Sequence, residues 1–133
     1  GIGISPLLGL YHHHVTEERP PVKFFYSVPN QDEIVFQEEL LKLLLQPPRT
    51  QDSLTITLTQ ATEWKGQKSS KPPINVIHQL GRTMTAFLDT NSGGDDSSTV
   101  YYICGPPTMQ EEALEQLRRS GVTSDRLVYE KWW

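Results

Sequence analysis

Two rhythms of hydrophobic residues alternate along this chain. Leu7, Leu8, Leu10, Tyr11 and Val15 follow Pro6 at helical spacing, and proline is well tolerated in a first helical turn. Pro20-Pro21 stops that helix. Val22 to Val28 (Val-Lys-Phe-Phe-Tyr-Ser-Val) is rich in β-branched and aromatic residues and reads as a strand. Asn30, with Glu33 three positions later, forms a capping-box pattern that predicts a helix over 31–45, ending before Pro47-Pro48. Leu54 to Thr59 alternates with period two and predicts a second strand.

A polar loop over 63–73 follows, then a short segment of open type over 74–80, then a predicted helix near 82–88. Asn-Ser-Gly-Gly-Asp-Asp-Ser-Ser at 91–98 has the composition of a surface loop. Val100 to Cys104 is a near-continuous apolar run, as expected of a strand buried on both faces of a parallel sheet. Thr108 and Glu111 repeat the capping-box spacing, and Met109, Ala113, Leu114 and Leu117 form one helical stripe ending at Ser120-Gly121. Leu127 to Tyr129 is the last predicted strand.

Strands that alternate with helices argue for an α/β fold: a doubly wound, mostly parallel sheet with helices on both faces. A length of 133 residues sets the expectation of one domain over 1–133. Because Gly1 already lies inside a glycine motif, the chain reads as an N-terminally truncated fragment whose sheet begins one strand short. Twelve basic against 16 acidic residues, with no basic stripe, argue against a nucleic-acid partner. A single Cys excludes an internal disulfide and fits a reducing, intracellular setting, cytoplasmic or mitochondrial. The apolar runs are far below the ~20 residues of a membrane span.

Two half-motifs carry candidate chemistry. In Gly1-Ile2-Gly3-Ile4-Ser5-Pro6 the glycines would let a phosphate or nicotinamide reach the backbone, and the helix that follows offers free N–H groups and a positive dipole end. The same string alone is also compatible with an ordinary tight turn. Cys104-Gly105-Pro106-Pro107 puts a thiol at a strand end before a rigid turn and a helix, where Cys104 is either functional or a small buried hydrophobe. Tyr129-Glu130-Lys131-Trp132-Trp133 places two indoles at the end of the chain, a costly arrangement without a surface to cover.

Together these strings resemble the nicotinamide-binding half of the ferredoxin-NADP reductase superfamily over nearly the whole chain. The resemblance implies a ferredoxin-reductase-like NAD-binding domain of a flavin-dependent NAD(P)H oxidoreductase. It further implies an FAD-binding barrel upstream of residue 1, and electrons passing from NADH through FAD to an unknown acceptor. Carried over by position, Cys104 lies beside the reactive carbon of the nicotinamide, Trp132 stacks on the flavin and is displaced by nicotinamide, and Glu130 handles charge or protons near the flavin. Trp133 turns toward the FAD adenine in some bacterial relatives. Gly1, Gly3, Ser5, Pro6, Gly105, Pro106 and Met109 belong to the cradle, with Ser5 also open to a capping role. Ser27, in the family's Tyr-Ser position, lies near the ribose and pyrophosphate, and Gly81-Arg82 matches a recurrent Gly-Arg. Relatives that prefer NADPH carry a Ser-Arg pair where this chain has Thr59-Gln60, which favours NADH, with Arg49, Lys65 and Lys68 as loop cations able to substitute for the missing Arg.

A rival reading is a non-catalytic nucleotide-binding or redox-sensing interaction domain. A flavodoxin-like regulatory domain is disfavoured by the lack of a phosphorylatable Asp at the first strand end. His12, His13 and His14 do not share a helical face, so a metal site is not expected, and no Ser-His-Asp or zinc-type spacing appears.

Overall fold

The computed structural model describes residues 3–16, 20–44, 51–65, 76–81 and 97–131. Helix α1 (Ile4–Thr16) leads into strand β1 (Lys23–Val28), helix α2 (Gln37–Leu44) and strand β2 (Ser53–Leu58). Strand β3 (Val76–Leu80) follows, then β4 (Tyr101–Ile103), helix α3 (Pro107–Arg119) and β5 (Leu127–Tyr129). Among the described residues every strand pairing is parallel. β2 lies between β1 and β3 in one sheet, and β4 pairs with β5 in a second.

The parallel α/β pattern read from the sequence is therefore present. The open segment over 74–80 resolves into β3, while the helix expected near 82–88 lies outside the described residues.

The first sheet is organised by strand alternation. Phe24, Tyr26 and Val28 point to the same face as Leu54, Ile56 and Leu58 across the register Phe24↔Leu54, Tyr26↔Ile56, Val28↔Leu58. They form a core with Ile4 and Tyr11 of α1 and Leu40 of α2. α1 also carries Leu7 and Leu8 against this core, so its apolar stripe is the face it buries. A second core holds Leu114 and Leu117 of α3 with Val122 and Leu127.

The helix predicted over 31–45 is split. Gln31–Glu33 is a single 3-10 turn, and Phe36 adopts φ 58 before α2 begins. A non-glycine residue in that region costs roughly 1–2 kcal/mol. The Phe36 carbonyl nonetheless accepts the N–H of Leu40 at 3.0 Å, and so opens α2. Asn30 and Glu33 do meet, Nδ2 donating to Oε1 at 3.2 Å, but Asn30 makes no side-chain cap. The second capping box is also displaced. Pro106, not Thr108, stands at the N-cap of α3, and Thr108 is the second helical residue.

The C-terminus of α3 behaves as its Ser120-Gly121 pair predicts. Gly121 takes φ 90 and donates to the Arg118 carbonyl at 3.0 Å, and Val122 donates to the Leu117 carbonyl at 3.0 Å. This is the glycine-terminated helix end in which left-handed backbone satisfies the last carbonyls.

Buried Asp52 fastens α1, β1 and β2 together. It is 1% exposed, accepts the Tyr11 hydroxyl at 2.9 Å on Oδ2, and accepts the Val22 N–H at 2.8 Å on Oδ1. The Tyr11 ring itself packs on Phe24 at 5.7 Å.

Candidate functional site

Parallel pairing sends β1, β2 and β3 to one common end and β4 and β5 to another, and the loops beyond these carboxyl ends are where such sheets bind ligands. The two half-motifs meet at the turn after β4, the carboxyl end of the second sheet. A Cβ added at Gly3 would stand 2.8 Å from the Cys104 carbonyl oxygen, 3.0 Å from its carbon and 3.1 Å from the Gly105 Cα. Only a residue without a side chain allows this approach, so the glycine turn before α1 rests directly on the turn after β4.

Gly105 is packed differently. A Cβ there would collide with Met109 Cε, the end of a flexible side chain, so Met109 folds back over the turn that precedes its own helix. Cys104 is half-buried and leaves the sheet one residue after the Ile103↔Tyr129 pair, as Glu130 does on the neighbouring strand. Glu130 is exposed, and its backbone carbonyl is 2.9 Å from Nε2 of Gln110.

Both helices that start at this meeting point, α1 and α3, have no acidic residue in their first turn. Their positive ends are therefore not neutralised by their own side chains, which suits an anionic group. By contrast, the Gln31–Glu33 turn begins with Asp32 and Glu33, and α2 with Glu38 and Glu39. Ser5 falls inside the first turn of α1 and is exposed, so it is not the residue before the helix that the capping alternative required. Pro6 sits in the same turn, as expected.

A second group gathers beyond β1 and β2. Ser27 is the half-buried penultimate residue of β1, in register with Thr57. Thr59 and Gln60 are exposed just after β2, where their N–H groups donate to the Val28 and Pro29 carbonyls at 3.0 Å. Beside them, Asn30, Asp32, Glu33, Glu63 and Lys65 line a cavity of about 200 Å³. Gln31 clasps its rim, with Nε2 donating to the Lys65 carbonyl at 3.1 Å and Oε1 accepting the Lys65 N–H at 2.8 Å. Gly81 turns the chain after β3 with φ 106, donating to the Leu58 carbonyl at 2.9 Å.

Gly1, Trp132, Trp133 and Arg82 lie outside the described residues. Two polar residues escaped the motif reading, Asp52 and Gln110. Both are 1% exposed, and only Gln110 leaves a trace in the sequence, as a polar residue at a position of the apolar stripe of α3. Among the described residues no cluster of three or more His, Cys, Asp or Glu could hold a metal ion, and no helix is long and apolar enough to cross a membrane.

Comparison with known proteins decides the family, because the oxidoreductase NAD-binding domain model matches residues 1–115. The chain belongs to that family. It is 30% identical to the human oxidoreductase NAD-binding domain-containing protein 1, over all of this chain and 43% of the relative. The zebrafish (Danio rerio) protein of the same name is 27% identical, over all of this chain and 50% of the relative. The reductase component of propane 2-monooxygenase from Rhodococcus jostii is 26% identical, over 99% of this chain and 33% of the relative. The chain thus spans half or less of the length of these relatives. No solved structure matches it.

Proposed function

We propose that this domain binds NADH and presents it to an FAD held by a separate domain of the same protein, so that hydride passes to flavin and electrons go on to an acceptor. The observation that carries this reading is the approach of Gly3 to the Cys104 carbonyl, which joins the two half-motifs at one strand-end crevice. The nucleotide fits that crevice. Two helix N-termini free of acidic side chains suit its pyrophosphate, and the glycine backbone leaves room for close approach.

NADH, when bound, supplies the hydride, and the chemistry is that of the cofactors. The chain's part is placement. Gly1, Gly3, Ser5, Pro6, Gly105 and Pro106 form the cradle, and Met109 closes over the Gly105 turn. Cys104 sits at the edge of the turn, where its thiol limits the sideways freedom of the nicotinamide. Glu130, the first residue after β5, is assigned to the flavin side, and Trp132 and Trp133, which follow it in sequence, are assigned to the flavin. In this reading the whole sheet has helices on both faces, and an additional strand and an FAD-binding barrel precede residue 1.

The preference for NADH rests on the second group. Asp32, Glu33 and Glu63 outnumber Lys65, the one cation among the described residues lining the cavity past β1 and β2, and Thr59-Gln60 brings no fixed guanidinium to it. A ribose 2′-phosphate would meet carboxylates there, whereas two ribose hydroxyls can donate to them.

Calorimetric titration of the chain with NADH and NADPH tests the reading, with tighter binding of NADH expected. Equal or reversed affinities would remove the NADH preference, and absence of binding to either would remove the function. Oxidised-flavin absorbance in the complete protein is the matching expectation for FAD. The isolated chain mixed with NADH and ferricyanide should show no turnover.

A further inference from the structure

Gln110 interrupts the apolar stripe of α3, yet it is 1% exposed and ranks with Leu58 and Val28 among the largest fully buried side chains. Its Nε2 donates to two carbonyls, Gly105 O at 3.0 Å and Glu130 O at 2.9 Å. Because carbonyls only accept, the amide orientation is fixed: both hydrogens of Nε2 are used and Oε1 must point away. Oε1 is buried with no hydrogen-bond partner among the described residues. The backbone N–H of Gln110 also holds the Pro106 carbonyl at 3.0 Å.

An apolar side chain of similar volume would remove the unpartnered Oε1 but leave the Gly105 and Glu130 carbonyls without this donor. What such a side chain could not do is bridge two backbone segments. Those segments are the turn after β4, next to Cys104, and the segment after β5, at Glu130. The β4–β5 ladder has its last pair at Ile103↔Tyr129, immediately before both. Gln110 carries the spacing of the two strands one step past the end of their sheet.

We propose that Gln110 is a positioning residue for the hydride site: its amide locks the Cys104-Gly105 turn to the Glu130 segment, so that nucleotide binding at the turn is felt by the residues that face the flavin. This rests on the nucleotide-binding reading above. Gln110 itself touches no reacting atom.

The test uses the 133-residue chain, Gln110→Met, which keeps the volume and removes both donors, and Val122→Ala as a control in the same core but away from the bridge. Hydrogen exchange is followed with and without NADH, and affinity by calorimetry. In the wild type, NADH slows exchange in residues 103–105 and also in 129–131. In Gln110→Met, exchange at 129–131 rises roughly tenfold without ligand, the effect of losing a hydrogen bond of ordinary net strength. NADH then protects 103–105 but no longer 129–131. Val122→Ala keeps the coupled protection even where its melting temperature falls as far. Coupled protection that survives in Gln110→Met makes Gln110 a packing residue and overturns the proposal. A wild-type chain that binds no NADH overturns the nucleotide reading and this proposal with it. A chain that binds NADH but never protects 129–131 overturns the coupling alone.

Discussion

Gly3→Ala and Gly9→Ala place the same methyl group in the turn before α1 and inside α1, six residues apart, with opposite expected outcomes. At Gly9 the new Cβ has nothing within 4 Å, and the residue is an exposed position inside α1. Alanine there should stabilise the chain by about 0.5–1 kcal/mol, because glycine in a helix carries extra unfolded-state entropy. At Gly3 the Cβ would stand 2.8 Å from the Cys104 carbonyl oxygen, and every near atom is backbone. Ordinary contact begins at 3.4 Å, so the two turns must part by 3.4 − 2.8, or 0.6 Å. Overpacking of this kind costs about 1–3 kcal/mol. With about 2.1 cal/mol/K of unfolding entropy per residue, that corresponds to a melting-temperature loss of roughly 4–11 °C. The same displacement separates the two halves of the cradle, and NADH affinity should fall with it. Scanning calorimetry gives the stability change and titration calorimetry the affinity. If Gly3→Ala melts and binds like the wild type, the two half-motifs do not share a tight contact and the site built on it is wrong. If Gly9→Ala is as damaging as Gly3→Ala, the effect belongs to helix α1 and not to the Cys104 turn.

Other substitutions probe separate links of the structure. Tyr11→Phe keeps the ring on Phe24 and removes the 2.9 Å hydrogen bond to Asp52. Loss of a hydrogen bond to a carboxylate should cost about 1.5–3 kcal/mol in chemical denaturation, and a change below about 0.5 kcal/mol, the range of ordinary surface substitutions, would show that Asp52 is not the fastening point. His78 stacks on Trp64 at 4.2 Å, and burial lowers its pKa from 6.5. The unfolded chain therefore takes up that proton first, so stability should fall as pH drops below 6.5 and level off below the lowered folded-state value. His78→Phe should flatten that part of the pH–stability curve, and an unchanged slope would assign the effect to another group. In the complete protein, on the proposal that it carries FAD, Cys104→Ala should slow flavin reduction in stopped-flow while leaving NADH affinity nearly intact, since misplacement of about 1 Å can cost on the order of a hundredfold in rate. An unchanged rate with lower thermal stability would make Cys104 a packing residue.

How far the fold could be read depended on whether local pattern and tertiary context agree. β1 and β2 were legible because Phe24, Tyr26 and Val28 alternate with half-exposed residues and Leu54, Ile56 and Leu58 with Thr55 and Thr57. The C-terminus of α3 was legible because only glycine readily takes φ 90 at Gly121. The helix over 31–45 was misread because capping-box spacing does not say how far the helix continues. Phe36, which is exposed, breaks it with a backbone conformation that a non-glycine residue disfavours. β3 stayed open in the sequence because polar His78 and Gln79 interrupt the apolar residues of Val76 to Leu80, and it is the pairing with β2 that makes the segment a strand.

The candidate site shows the same division. Glycines and a cysteine are visible because their chemistry is rare at such positions, and the contact between Gly3 and Cys104 turns two weak strings, 101 residues apart in number, into one feature. The roles of Gln110 and Asp52 are invisible in one dimension, since each is defined by distant partners: Glu130 lies 20 residues from Gln110, and Tyr11 lies 41 from Asp52. Both are buried amide or carboxylate groups that tie a site-bearing segment to the sheet behind it. Asp52 fixes the helix that follows the glycine turn, and Gln110 fixes the turn and strand end that carry Cys104 and Glu130. A site assembled from loops needs such ties, because loop backbone alone does not hold groups to within the tenths of an ångström that the proposed hydride transfer would require. Loss of either tie should therefore reach the nucleotide without touching it, Asp52 through the seating of α1 and Gln110 through the spacing of the two strand ends.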